Sequence, residues 1–98
     1  MRRVGLSLLA FGLLAGCTAR WPDDTRDAFT RNCLANARKT KPTASEEELA
    51  SYCDCAADRL QERFSLEEFT ALEAQSMREN KPPIELVRVV EECAGRLR

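Results

Sequence analysis

The chain has 98 residues, 15 basic and 16 acidic, with five cysteines and no histidine. That length allows one domain at most. The near-neutral charge, −1 overall, offers no basic surface for nucleic acid, and the lack of histidine removes the usual general base and the commonest metal ligand.

The N-terminus reads as an export signal, residues 1–16. Arg2 and Arg3 form a positive start, Val4 to Leu14 is an apolar stretch broken only by Gly and Ser, and small Ala15 and Gly16 precede a cut. An apolar run of ~11 residues is too short to span a bilayer, which takes ~20. Leu14-Ala15-Gly16-Cys17 resembles the lipobox of bacterial lipoproteins. That resemblance implies diacylglycerol on the Cys17 thiol, cleavage before Cys17 and acylation, such as palmitoylation, of the new amino group. Thr18 follows in place of the Asp that favours inner-membrane retention, so the resemblance implies the outer membrane, facing the periplasm, in a host that has one. Two or more acyl chains hold a protein durably where one is marginal. The mature chain, Cys17–Arg98, carries 13 basic and 16 acidic residues, a net of −3.

Residues 17–24 are expected to be the lipidated Cys17 and a short tether containing Pro22. Seven residues, Thr18 to Asp24, reach at most ~25 Å. Trp21 has two placements open to it: the lipid–water interface, or the domain's core.

The domain itself is expected over residues 25–98. A first helix is predicted from about Thr25 to Arg38, with Phe29, Cys33, Leu34 and Ala37 on one side and Pro42 barring continuation. Ser45-Glu46-Glu47-Glu48 fits a capping box that starts a second helix. Its apolar stripe is Leu49, Tyr52, Cys53, Ala56, Leu60 and Phe64, against a polar face of Glu48, Ser51, Asp58, Arg59 and Glu62. Ser65-Leu66-Glu67-Glu68 is another capping box, flanked by Phe64 and Phe69 in positions for a hydrophobic staple. The third helix buries Leu66, Phe69 and Leu72, with Met77 at the far end of that side, and fades by Glu79. After Pro82 and Pro83 a fourth helix presents Leu86, Val87, Val90, Cys93, Ala94 and Leu97 as its stripe. Ile84 and Val89 lie off it, expected to be buried in the bundle rather than to line a partner's groove. No hairpin turn or internal repeat is visible. The fold class is therefore an all-α bundle of four short helices braced by two disulfides.

With Cys17 assigned to lipid, Cys33, Cys53, Cys55 and Cys93 remain, an even count in an exported small domain. Cys53 and Cys55 stand ~200° apart around one helix, so they cannot bond each other. Cys33–Cys53 with Cys55–Cys93 is slightly favoured over Cys33–Cys55 with Cys53–Cys93, because Cys33 and Cys53 are nearly symmetric about the Pro42 turn. A four-thiolate zinc site is the rival, but C-x-C is tighter than the usual C-x2-C. A redox-active C-x-C would lack a neighbouring histidine to lower a thiol pKa.

The acidic groups Glu46–Glu48, Glu67–Glu68 and Glu91–Glu92 read as helix capping and solvation. Ser45 and Ser65 are caps with no base to activate them. No catalytic, cofactor-binding or metal-binding set is identified, and the membrane is the one partner implied directly. In outline the mature domain resembles the helical, disulfide-bearing pilotin lipoproteins of secretion systems. Its cysteine pattern also looks like that of many uncharacterised exported bacterial proteins. The lipobox, the short tether and the absence of a catalytic constellation point to a non-enzymatic accessory or assembly factor of an envelope complex. The alternative is a periplasmic inhibitor or immunity protein that neutralises a toxin or hydrolase.

Overall fold

The computed structural model describes residues 20–97. Residues 1–16, read above as an export signal, and Cys17, Thr18, Ala19 and Arg98 lie outside them. Four α-helices follow in order among the described residues: α1 (Asp23–Thr40), α2 (Glu46–Arg63), α3 (Leu66–Glu79) and α4 (Ile84–Glu91). A 3-10 turn, Ala94–Arg96, closes the chain. No strand occurs among the described residues, so the all-α class holds.

Local chemistry sets each boundary. α1 begins two residues earlier than the periodicity suggested because Pro22 initiates it. Its carbonyl accepts from the Thr25 and Arg26 amides at 3.0 and 3.1 Å. Asp23 and Asp24 in the first turn complement the helix dipole. At the other end Thr40 Oγ1 donates back to the carbonyls of Asn36 and Ala37. Both capping boxes form as expected. Ser45 Oγ accepts from the Glu48 amide while Glu48 accepts from the Ser45 amide, and Ser65 and Glu68 repeat the exchange. α3 ends at Asn80, in the left-handed region at φ 58°, where asparagine is tolerated. The Lys81 amide then reaches the Ser76 carbonyl at 3.2 Å.

The fourth helix is shorter than its stripe implied. After Glu91 the hydrogen bonds tighten to three-residue spacing, with the Cys93 amide on the Val90 carbonyl and the Arg96 amide on the Cys93 carbonyl. Gly95 is a weak helix former there, and Cys93 is held in a bridge to α2. Ala94, assigned to the buried stripe by spacing, is exposed as a result. Val89, off the stripe, is instead buried.

α2 is the central element. It packs against α1, α4 and the terminal turn. Leu49, Cys53, Ala56, Ala57 and Leu60 are almost wholly removed from solvent, and Cys55 is also buried. α1 runs antiparallel beside it, as its cross-links show in register: Arg26 to Asp58, Cys33 to Cys53, Arg38 to Glu46. The disulfides are Cys33–Cys53 and Cys55–Cys93, with Cα separations of 5.8 and 5.9 Å. Their sequence separations of 20 and 38 residues correspond to about 3 and about 4 kcal/mol on the loop-entropy account.

The apolar core is a cluster of Trp21, Leu60, Phe69 and Val89, with Phe29, Phe64, Leu66, Leu86 and Val90 packed around it. Trp21 is therefore a core residue, 4% exposed, and the interfacial placement is excluded for this state. Its ring lies 4.3 Å from that of Phe69 and edge-on to Phe29 at 6.5 Å. The indole Nε1 donates to the Phe64 carbonyl at 3.2 Å, and the Trp21 amide donates to Gln61 Oε1 at 3.3 Å. Buried tryptophan usually finds such a partner for its N–H.

The Trp21 side chain contributes packing and one long-range hydrogen bond, from the indole Nε1 to the Phe64 carbonyl, so Trp21→Ala should lower unfolding stability by about 3–5 kcal/mol. Chemical denaturation followed by circular dichroism checks this. A loss under about 1 kcal/mol would mean the residue is dispensable to the core.

Candidate interaction surfaces

Two surfaces of the described domain carry clustered charges or unusually exposed apolar side chains. The first lies on the outward face of α2. Cys55 was read on the polar side of that helix, and its bridge to Cys93 draws the terminal turn across this side. A shallow groove of about 500 Å³ is left between them, lined by Ser51, Asp54, Cys55, Asp58, Arg59, Glu62 and Arg96.

Charged side chains from four parts of the chain order its edges. Arg26 of α1 places Nη1 2.9 Å from Asp58 Oδ1 and Nη2 4.0 Å from Asp54. The Asp58 contact is an ion pair without hydrogen-bond alignment, since that nitrogen has no hydrogen-bonded partner among the described residues. Arg63 donates to Glu92 at 2.8 Å, and Arg59 stands 3.9 Å from the same carboxylate. Arg96 donates to Ser51 Oγ at 3.0 Å. Exposed pairs of this kind add at most ~1 kcal/mol each to stability. Their larger consequence is geometric, because they connect α1, α2 and the terminal turn around the groove. Chemically the groove presents three carboxylates, of Asp54, Asp58 and Glu62, and two guanidinium groups, of Arg59 and Arg96. Its one hydroxyl, Ser51, faces an arginine donor and no base. Arg26 and Gln61 were not singled out by sequence reasoning, and Arg96 was read only as a basic residue favoured at the end of the fourth helix, because their partners lie 28 or more residues away and carry no local signal.

The second surface is the α3–α4 turn. Here one expectation is corrected: Met77, placed at the end of the buried side of α3, is 83% exposed. α3 buries only Phe69, because its first turn alone meets the core and the rest of the helix extends past it. Ile84, expected in the bundle, is 58% exposed at the start of α4, while Val89 from the same reading is buried. The turn between them pairs exposed Pro82 with buried Pro83.

The four cysteines are distributed over two bridges on different sides of α2, and each half of the C-x-C belongs to a different one. No group of three or more metal-ligating side chains is assembled among the described residues. No helix among them is long and apolar enough to cross a membrane. Tyr52, beside Cys53, is half-buried rather than sealed in the core. Burial raises its pKa, and the negative charge of Glu91 raises it further.

Tyr52 is the chain's one tyrosine, so absorbance titration reports it alone. The folded protein should titrate above the ~10 of a free phenol and return to ~10 in denaturant. A raised folded pKa means the associated stability is intact below ~10 and is lost as pH rises through the higher value. Glu91→Gln should lower the folded midpoint part of the way, since burial is the larger cause. A folded midpoint at or below that of the denatured chain would contradict the assignment.

No protein-family profile, curated protein or solved structure matches this chain.

Proposed function

We propose that this protein is a lipoprotein, anchored through lipid on Cys17 at the inner face of the outer membrane, that acts by protein–protein contact as an accessory or assembly factor of an envelope complex. In this reading it works without catalysis, cofactor or metal. The observation that carries the contact role is the groove on α2, whose charged edges are fixed by Arg26, Glu92 and Arg96 from three other segments. A surface cross-braced in this way loses less conformational freedom when a partner docks, and charges of both signs give register and selectivity more than bulk affinity. The anchor supports the same reading. Restricting a protein to a membrane surface raises its effective concentration toward partners in the same membrane.

A photo-crosslinking amino acid at Glu62, on the groove, compared with one at Asn36, exposed on α1, tests this in intact cells. Replacing one exposed charge here costs at most ~1 kcal/mol, so the fold tolerates the probe. The expected outcome is a discrete adduct with an integral or lipid-anchored envelope protein from position 62 and none from position 36. An adduct with a soluble hydrolase, or equal labelling at both positions, would contradict the proposal. The former would favour the inhibitor reading.

A further inference from the structure

The described chain emerges at Arg20, immediately before a residue locked in the core. Trp21 is fixed by its ring contacts and by hydrogen bonds to Gln61 and to the Phe64 carbonyl. Only Thr18, Ala19 and Arg20 separate it from Cys17. Four residue steps reach at most ~14 Å. If Cys17 carries lipid, the C-terminal end of α2 sits close to the bilayer.

The register of α4 identifies what else lies at that end. Arg96 bonds Ser51, Cys93 is bridged to Cys55, Glu92 pairs with Arg59 and Arg63, and Val89 packs with Leu60. The segment therefore climbs antiparallel along α2. Nine further residues back from Cys93, at ~1.5 Å each, bring Ile84 to about the level of Phe64, the residue that holds the Trp21 indole. Exposed Ile84, and Met77 across the short turn, thus share an end of the molecule with the tether. The turn that joins α1 and α2, residues 41–45, lies at the other end of α2, ~28 Å away by helix rise.

We propose that the α3–α4 turn is a bilayer-contacting surface, with Met77 and Ile84 seated in the headgroup region beside the lipid anchor. This rests on the lipoprotein reading above. The turn's chemistry fits that occupant. Two large apolar side chains are the most exposed of their kind in the described residues. Exposed Arg78, Lys81 and Arg88 lie within four residues of them in sequence with no ion pair among the described residues, interleaved with Glu79 and Glu85. Long basic side chains suit the headgroup layer, where the stem packs on apolar surface and the charge stays hydrated. Asp23 and Asp24 begin α1 just after Trp21 and disfavour a strongly anionic surface. The fitting surface is therefore one of mainly zwitterionic headgroups. The contact orients the domain and holds the 41–45 turn away from the membrane.

The test uses the native lipidated protein in nanodiscs of phosphatidylethanolamine with a minor fraction of phosphatidylglycerol. A small share of headgroups carries a gadolinium chelate, and relaxation enhancement is read at each backbone amide. The expected result is strong broadening at residues 77–84, excepting the prolines, and at 21–25, with the least at 41–46. The double variant Met77→Asp with Ile84→Asp should stay on the nanodisc through its lipid and lose the enhancement at 77–84. Both residues are exposed, and an unchanged spectrum for the core amides confirms that the variant folds. Broadening at 41–46 equal to that at 77–84, or a profile unaltered by the double variant, would overturn the proposal while leaving the anchor standing. Absence of the protein from the membrane fraction of cells would overturn anchor and contact together.

Discussion

Everything in this domain depends on α2 being held on opposite sides by sulfur. Cys53 and Cys55 are two residues apart, so a helix must point them in nearly opposite directions. Cys53 is tied to α1 and Cys55 to the segment after α4. A helix fixed in this way cannot roll against either neighbour without straining a covalent bond. The described domain is small, and its buried apolar cluster centres on four residues. Such domains bury too small a fraction of their surface to rely on a core alone, and cross-links that restrict the unfolded chain offset that deficit. The same bridge that secures α4 also creates the groove, because it lays the terminal turn across what would otherwise be a bare polar helix face.

The second constraint is Trp21. It lies before the first helix, yet it occupies the centre of the aromatic cluster with Phe29 and Phe69 and is hydrogen-bonded to the far end of α2. It closes the bundle where residues of all four helices meet, Phe29, Leu60, Phe69 and Val89. It also turns a segment that composition alone marks as a linker into part of the folded body. Arg38 and Glu46 fasten the opposite end of the α1–α2 pair through two hydrogen bonds, of 3.1 and 2.7 Å. The paired arginine accordingly lowers the pKa of Glu46, against a smaller opposing effect of desolvation. The α1–α2 pair is thus fixed at both ends and in the middle. Among the described residues α3 beyond Phe69 has no disulfide or ion pair to another helix, and Met77 remains in solvent.

Local chemistry was the most legible part of the sequence. Both capping boxes, the helix order and the exclusion of a Cys53–Cys55 bond followed from rules that act within one or two turns. The pairing of Cys33 with Cys53 was favoured by symmetry about Pro42 but not required by it. The failures were tertiary. Periodicity gave Met77 the right phase to be buried, but phase cannot say whether a neighbour exists at that height along the helix. Ala94 was assigned to a helix that the Cys55–Cys93 bridge and Gly95 cut short. Trp21 had two reasonable environments, and only its distance to Gln61 and Phe64 distinguishes them. The groove was half legible. Ser51, Asp58, Arg59 and Glu62 were read as one polar face, but Arg26 and Arg96 reach it from segments distant in sequence.

The proposed lipoprotein must be exported, lipidated at Cys17 and oxidised before it acts. The most direct measurement is the intact mass of the membrane-extracted protein, recorded with and without reduction before alkylation. The expected result is the mass of residues Cys17–Arg98 plus acyl groups, with four cysteines alkylated only after reduction. A mass matching all 98 residues with free thiols would contradict it, and the anchor, the bridges and the proposed membrane-facing role would fall together.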